Sequence, residues 1–180
     1  TRADADGEVD VLGDERATIT EYVYNETNWI VSKPKLTQTL DDTQTVVAQR
    51  RFYYDGASDI NTPPTAGLLT KEEEWLNLPQ ERWLATTLDY DAYGNVETVT
   101  DALQRTTTNT YDVATKTYLI EIANAISHTR QLTYDSRTGQ VLASTDQNNV
   151  TTTTLYDPLG RVTKVIGPND TEALPTISYD

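Results

Sequence analysis

The sequence contains no cysteine and no methionine, and it has one histidine and one phenylalanine. Without cysteine, neither a disulfide framework nor a thiolate metal site can form. Basic residues are scarce, since 14 Lys and Arg stand against 28 Asp and Glu and give a net charge of -14. This charge repels the phosphate backbone of nucleic acids and anionic lipid surfaces. No apolar run approaches the roughly 20 residues of a membrane span. We therefore expect no nucleic-acid partner and no membrane insertion.

A repeated Tyr-Asp dipeptide is the main feature of the sequence. Successive copies among the last five lie 21 to 23 residues apart, which is typical of a repeat architecture. Because the final two residues complete a copy, we expect the chain to be a piece of a longer protein. The copies are Tyr54-Asp55, Tyr90-Asp91, Tyr111-Asp112, Tyr134-Asp135, Tyr156-Asp157 and Tyr179-Asp180.

A second marker residue lies between the Tyr-Asp copies. Asp101, Asn124 and Asp146 each precede the next repeat tyrosine by ten residues. Equal spacing in three successive units indicates repeated geometry. The intervals between markers are rich in Val, Ile, Thr and Tyr, and they have roughly the usual 5 to 6 residues of a β-strand. Each unit of about 22 residues is therefore predicted to be one β-hairpin, stabilised by stacking beside its neighbours.

The turns carry residues suited to hairpin connections. Asp157, Pro158 and Gly160 occupy the first, second and fourth positions of a predicted type I turn, where each is favoured. Gly94 has the same place after Asp91, and Gly139 ends a turn that is one residue longer. We predict a positive φ for these three glycines.

Apolar residues in the predicted strands occur three positions apart, whereas the faces of a strand alternate with a period of two. We interpret this spacing as strong twist or a β-bulge. The pairs are Val96 with Val99, Leu119 with Ile122, and Val162 with Val165.

The stretch from Tyr90 to Asp112, YDAYGNVETVTDALQRTTTNTYD, resembles the YD or RHS repeat. The resemblance covers residues 84–180, and residues 50–56 are similar to an upstream unit. A Tyr-Tyr-Asp-Gly unit, an insert and then regular repeats are most similar to the B component of bacterial Tc toxin complexes or related virulence-plasmid proteins. The resemblance implies an all-β fold, in which an array of antiparallel β-hairpins forms part of a coiled, shell-like β-sheet.

The resemblance also implies a function. Such a segment forms the wall of a hollow shell in a secreted, extracellular bacterial toxin, and the shell encapsulates a C-terminal toxic domain. The implied partner is that cargo domain or a companion toxin subunit, with no cofactor. An alternative is a carbohydrate-binding or adhesive extracellular module, because the 11 Tyr and three Trp can stack on sugar rings.

Three regions are predicted: degenerate upstream strands at 1–56, an insert with a short helix at 57–83, and regular repeats at 84–180. The helix is predicted over 71–77, because Thr70 and Glu73 have the spacing of a capping box. The insert either docks a partner through Trp75 and Trp83 or covers a sheet edge, and we favour the second interpretation.

No catalytic or metal site is expected. His128 stands where other units have Arg105 and Val150, so it occupies a substitutable repeat position. Asp4, Asp6 and Asp10 have spacing reminiscent of a calcium loop but lack its later ligands, which favours an acidic, solvated segment. The residues predicted to have a structural role in the repeats are Tyr54, Asp55, Tyr90, Asp91, Gly94, Asp101, Tyr111, Asp112, Asn124, Tyr134, Asp135, Gly139, Asp146, Tyr156, Asp157, Gly160, Tyr179 and Asp180.

Overall fold

Every regular element of the protein is a β-strand in the computed structural model, which describes residues 15–76 and 82–179. The all-β array of antiparallel hairpins predicted from the sequence is therefore confirmed. The chain divides into two compact units, Thr1–Leu88 and Asp89–Asp180. No helix with the length and hydropathy needed to span a membrane is found within the described ranges.

Unit 1 contains long strands that pair in chain order. Each strand is antiparallel to the next, and Val23, Leu40, Tyr53 and Tyr54 are buried among them. The strands are β1 (Ala17–Asn25), β2 (Ile30–Leu40), β3 (Val46–Tyr54), β4 (Leu69–Leu76) and β5 (Arg82–Tyr90), the last of which crosses the unit boundary.

The predicted helix over 71–77 is wrong for the residues described, because Leu69–Leu76 forms strand β4. Its neighbours on both sides decide this: Glu73 lies opposite Arg51 of β3 and Ala85 of β5. Thr70 does not cap a helix; its hydroxyl instead accepts a hydrogen bond from the backbone N–H of Gly56 at 2.8 Å. Distant strand pairing thus overrides the local capping signal. The predicted region boundaries at 56/57 and 83/84 stay predictions.

Unit 2 consists of shorter strands, and each pairs with its neighbours in the chain. No residue between 89 and 179 is buried, so this unit has no closed apolar core and depends on its hydrogen-bond ladder and cross-strand side-chain pairs. Its strands are β6 (Val96–Thr100), β7 (Thr106–Tyr111), β8 (Leu119–Ala123), β9 (Thr129–Tyr134), β10 (Val141–Thr145), β11 (Thr151–Tyr156), β12 (Val162–Ile166) and β13 (Ile177–Ser178).

A β-bulge follows the Tyr-Asp turn in several units. Tyr111 lies opposite Leu119 but Thr110 lies opposite Glu121, so one extra residue stands in β8. Asn109 then faces Ile122, which places Leu119 and Ile122 on one face. A similar shift brings Val162 and Val165 of β12 to one face. The bulge predicted from the three-residue apolar spacing is confirmed in these two strands.

Candidate functional site

The first residue of each short turn accepts hydrogen bonds from the turn backbone through its side chain. In the turn at 157–161, Oδ1 of Asp157 accepts from the backbone N–H groups of Leu159 and Arg161, both at 2.9 Å. The carboxylate thus serves as acceptor for two turn N–H groups that have no carbonyl partner in the sheet ladder. The same pair of bonds occurs in the turns headed by Asp41, Asp91, Asp101, Asn124 and Asp146.

The fourth residue of each short turn has a left-handed backbone. Gly94 and Gly160 have φ values of 85° and 83°, and Gly139, in a longer turn, has 75°. The prediction of positive φ for these glycines is confirmed. Positive φ was not predicted at the other turns, where the fourth residue is not glycine: Gln44, Gln104, Ser127 and Asn149 have φ between 59° and 63°. A signal that could have identified them is an Asp or Asn five residues before the first, β-branched residue of a strand.

Asn124 shows that these short turns need an oxygen atom and not a charge. Its Oδ1 makes the bonds that Asp146 Oδ1 makes at the next marker. We therefore expect Asp146→Asn to retain nearly all of the free energy of unfolding at pH 7 and Asp146→Ala to reduce it, because alanine leaves two N–H groups without this acceptor. Urea denaturation followed by circular dichroism measures the difference. Equal losses in the two variants would contradict the acceptor role.

The pH dependence separates the same two variants. The backbone N–H of Val150, together with that of Asn148, holds the pKa of Asp146 below its usual value. A lowered folded-state pKa stabilises the fold above the unfolded value of about 3.9, and this stabilisation is lost as the pH falls through the folded pKa. If the native chain is more stable than Asp146→Asn at pH 7, this difference in free energy of unfolding should therefore disappear in acid. The lower free energy of unfolding of Asp146→Ala should persist there.

In two longer loops between strands, those headed by Asp55 and Asp112, both carboxylate oxygens of the aspartate accept hydrogen bonds. Asp55 Oδ2 accepts from the backbone N–H groups of Thr65, Ala66 and Gly67 at 2.7–3.0 Å, and its Oδ1 accepts from Leu68 at 2.9 Å. Burial opposes the charge, but these four donors outweigh it and hold the pKa of Asp55 below its usual value. At Asp112, the N–H groups of Tyr118, Thr115 and Thr117 likewise lower the pKa.

The repeat tyrosines form cross-strand rungs. The hydroxyl of Tyr111 donates to the carbonyl of Val96 on the preceding strand at 3.2 Å, Tyr134 donates to Leu119 at 3.0 Å, and Tyr156 donates to Val141 at 2.8 Å. In each case the acceptor lies 15 residues earlier in the chain, so the same tyrosine hydrogen bond recurs in successive repeat units. These bonds tie the end of one strand to the start of its neighbour.

The remaining Tyr-Asp copies occupy different settings. Tyr54 donates to the carbonyl of Pro34 at 2.7 Å, and burial raises its pKa to about 12, so it stays a donor. Tyr90 ends β5, and Tyr179, which follows β13, is half exposed and donates its backbone N–H to Thr163 at 2.9 Å. Asp135 accepts from the N–H of Arg137 at 2.9 Å. Asp180 lies outside the described residues.

Several other aromatic rings are covered by neighbouring side chains. The guanidinium of Arg51 lies 3.8 Å from the ring centre of Trp83, and the ammonium of Lys71 lies 3.7 Å from that of Tyr53. Trp75 is directly opposite Trp83 across the β4–β5 hairpin. These cations stabilise the sheet by cation–π contact and occupy one face of each ring. The two tryptophans are thus placed within a paired hairpin, and their docking role stays a prediction.

The described residues hold no group of three His, Asp or Glu side chains that could bind a metal ion. His128 is exposed at the end of a turn, where its backbone N–H donates to Asn124. In the open groove beside the turn at 157–161, Asp157 pairs with Arg161 at 2.7 Å and Asp135 pairs with Arg137 at 3.2 Å. These carboxylates are held by turn and ion-pair contacts. Asp4, Asp6 and Asp10 lie outside the described residues.

The repeated aspartate turns and tyrosine rungs match a known family. The family model for the RHS repeat matches residues 134–172, which include two Tyr-Asp copies and the marker Asp146. Residues 134–172 are thus similar to the RHS repeat. The same turns and rungs continue through the RHS-like units that begin at Tyr90. A search of curated proteins found no match to the sequence.

Solved toxin structures share this fold. The crystal structure of TcdB2-TccC3 superposes with a TM-score of 0.62 at 13% identity, and that of TcdB2-TccC3-Cdc42 superposes with a TM-score of 0.63 at 13% identity. Each match covers 84% of this chain and 11% of the solved chain. A structure of the Photorhabdus luminescens Tc holotoxin pore is 18% identical over 85% of this chain and 9% of that chain, with a TM-score of 0.47. At 13% identity, the likeness to the two TcdB2-TccC3 structures shows the fold alone.

Proposed function

We propose that this chain is a segment of the wall of a hollow β-shell in a secreted bacterial toxin, and that the shell encloses a toxic polypeptide. The observation that carries the proposal is the RHS repeat itself: rungs and turns recur with one period and use their functional groups to join neighbouring strands. Such a sheet extends by adding identical units. The likeness to TcdB2-TccC3 over 84% of the chain adds support.

The partner that we propose is the C-terminal cargo domain of the parent protein or a companion toxin subunit. The solved structures that share the fold are named for a pair of components, TcdB2 and TccC3, which supports an assembly of this kind. The chain spans 11% of the length of those solved chains, so the rest of such a wall and its contents would come from outside the residues described here.

The role of the repeat residues in this proposal is mechanical. The repeat tyrosine hydroxyls donate to backbone carbonyls and the aspartate oxygens accept turn N–H groups, so both act within the sheet. The alternative of carbohydrate binding requires exposed ring faces on which a sugar can stack. Exposed aromatic side chains suited to sugar stacking are Trp29 and Tyr93, which are 86% and 70% exposed.

Protease protection of the full-length parent tests the proposal. We expect the cargo polypeptide to resist digestion in the intact parent and to be cut rapidly after the shell is opened with denaturant, because a closed wall excludes the protease. Gel analysis of a time course with free cargo as the reference measures the protection. The His128→Ala and Ser127→Ala variants serve as controls that should leave the parent's activity unchanged. Cargo cut equally fast in both states would contradict enclosure.

A further inference from the structure

The two faces of the sheet in unit 2 differ in chemistry. Side chains of directly opposed residues, and of residues two apart in a strand, lie on the same face, so the strand registers assign each residue. One face, here called the tyrosine face, contains Tyr111, Tyr134 and Tyr156 together with Ile122, Leu132 and Val165, and also Thr107, Thr152 and Thr154. The other, the threonine face, contains Thr98, Thr108, Thr133, Thr145, Thr151 and Thr153, and also Leu155 and Ile166.

Several polar groups of the tyrosine face bond within the sheet. Its tyrosine hydroxyls donate to backbone carbonyls, Asn109 Nδ2 donates to the carbonyl of Val96 at 3.0 Å, and Arg130 Nε donates to Ser144 Oγ at 2.9 Å. This face therefore presents aromatic rings and aliphatic carbon beside its few threonines, and it is the more apolar face of the two. Apolar surface of this kind is stabilised by contact with other apolar groups and promotes association when left in water.

The threonine face has the opposite character. Thr108, Thr110 and Thr133 are exposed, so their hydroxyls reach water. Other threonines pair across the strands, as Thr145 Oγ1 does with Thr151 Oγ1 at 2.8 Å. Short β-branched hydroxyl side chains combine strand propensity with a hydrated surface. Leu155 and Ile166 are its larger apolar side chains, and its hydroxyl, amide and charged side chains outnumber them.

We propose that the tyrosine face is turned toward the enclosed polypeptide and the threonine face toward bulk solvent. This inference rests on the proposed function, since it assigns an inside and an outside to the same wall. Within the described residues each strand of unit 2 contacts only the strands beside it, so no element covers either face. The chain covers 11% of the length of the solved TcdB2-TccC3 chain, and the occupant that we propose is the cargo polypeptide that the rest of such an assembly would supply.

The occupant that fits the tyrosine face is a polypeptide with exposed apolar side chains. Half-exposed Ile122, Leu132 and Val165 offer such a chain weak, non-directional contacts. The tyrosine hydroxyls and Asn109 already donate to backbone carbonyls, so they do not require particular partners from the cargo. The face would therefore hold different sequences without selecting one of them.

Neighbouring residues of β9 provide a matched test. Arg130 lies opposite Ile122 on the tyrosine face, Gln131 lies opposite Glu121 on the threonine face, and both are exposed. Since the segment has no cysteine, Arg130→Cys and Gln131→Cys can be placed singly in a full-length parent whose other cysteines, if any, are replaced by serine. The probe is a maleimide carrying a polyethylene glycol chain too bulky to enter a closed shell.

We expect the Gln131→Cys parent to react at the rate of an exposed thiol and the Arg130→Cys parent to react at least tenfold more slowly until denaturant opens the shell. The reverse order, or slow reaction at both positions, would overturn the orientation while leaving the shell in place. Fast reaction at both would overturn the enclosed wall as well. If either variant fails to assemble, Leu132→Cys and Thr133→Cys repeat the comparison on the same strand.

Discussion

Replacing Asp55 with alanine is expected to reduce the free energy of unfolding of unit 1 by on the order of 3 kcal/mol, because several backbone donors lose their acceptor at once. The carboxylate accepts four backbone N–H groups of residues 65–68 and so closes the connection between β3 and β4. Next to it, Pro64 is fully buried and its carbonyl accepts from Asn25 Nδ2 at 2.8 Å. Loss of the carboxylate should loosen this connection from β1 as well.

Tryptophan fluorescence during urea denaturation measures this effect, since Trp29, Trp75 and Trp83 all lie in unit 1. Asp55→Asn should be intermediate, because an amide offers one acceptor oxygen where the structure uses two. Asp59→Ala is the matched control: the Asp59 carboxylate accepts two hydrogen bonds from Asn61 in the same exposed loop, at 2.9 and 3.0 Å, and closes no connection between strands. If Asp55→Ala unfolds at the same urea concentration as Asp59→Ala, the organising role of Asp55 is wrong.

Gly160→Val should destabilise unit 2 by roughly 2 to 4 kcal/mol, through backbone strain and a steric clash together. Gly160 has a φ of 83°, a conformation that a β-branched residue strongly disfavours. A Cβ at this position would lie 2.9 Å from Nε2 of Gln140, which itself donates to the Gly160 carbonyl at 2.7 Å. The substitution therefore disturbs the contact between two successive Tyr-Asp turns.

Gly94→Val separates the two contributions. Gly94 has a φ of 85° in the same kind of turn, but a Cβ there would meet no atom within 4 Å. Its replacement should cost about 1 to 2 kcal/mol, from backbone strain alone. Urea denaturation followed by circular dichroism should give a lower unfolding midpoint for Gly160→Val than for Gly94→Val. Adding Gln140→Ala to Gly160→Val should reduce this difference, because it removes the side chain with which the new Cβ clashes. An unchanged midpoint for Gly160→Val would refute the requirement for glycine.

The period of the repeats and the positions of most strands follow from the sequence because their causes are local. An Asp or Asn at the head of a turn, a glycine at its fourth position and a run of β-branched residues act within a few neighbours. Strands β6, β7, β9 and β11 lie in the intervals between marker residues where the sequence predicts strands. Even the bulges appear in the sequence, as apolar pairs three residues apart.

Other features depended on contacts between residues far apart in the chain. Residues 71–76 have a capping signal, yet they form β4 because β3 and β5 supply hydrogen-bonding partners on both sides. The four donors to Asp55 are 10 to 13 residues away from it, so no local pattern announces them. The strained backbones of Gln104 and Ser127 are likewise imposed by the closing of their hairpins.

The identity of the two faces was also decided by the tertiary structure. The sequence of β7 alternates Thr, Asn and Tyr and makes neither face clearly apolar. Only the registers of successive strands show that Tyr111 belongs with Ile122 and Leu132, and Thr108 with Thr129 and Thr145. A bulge of one residue reverses the alternation within a strand, so faces cannot be assigned by counting along the chain. The sequence by itself determined which residues form strands and turns; pairing between strands determined which side chains share a surface, because that depends on the position of the partner.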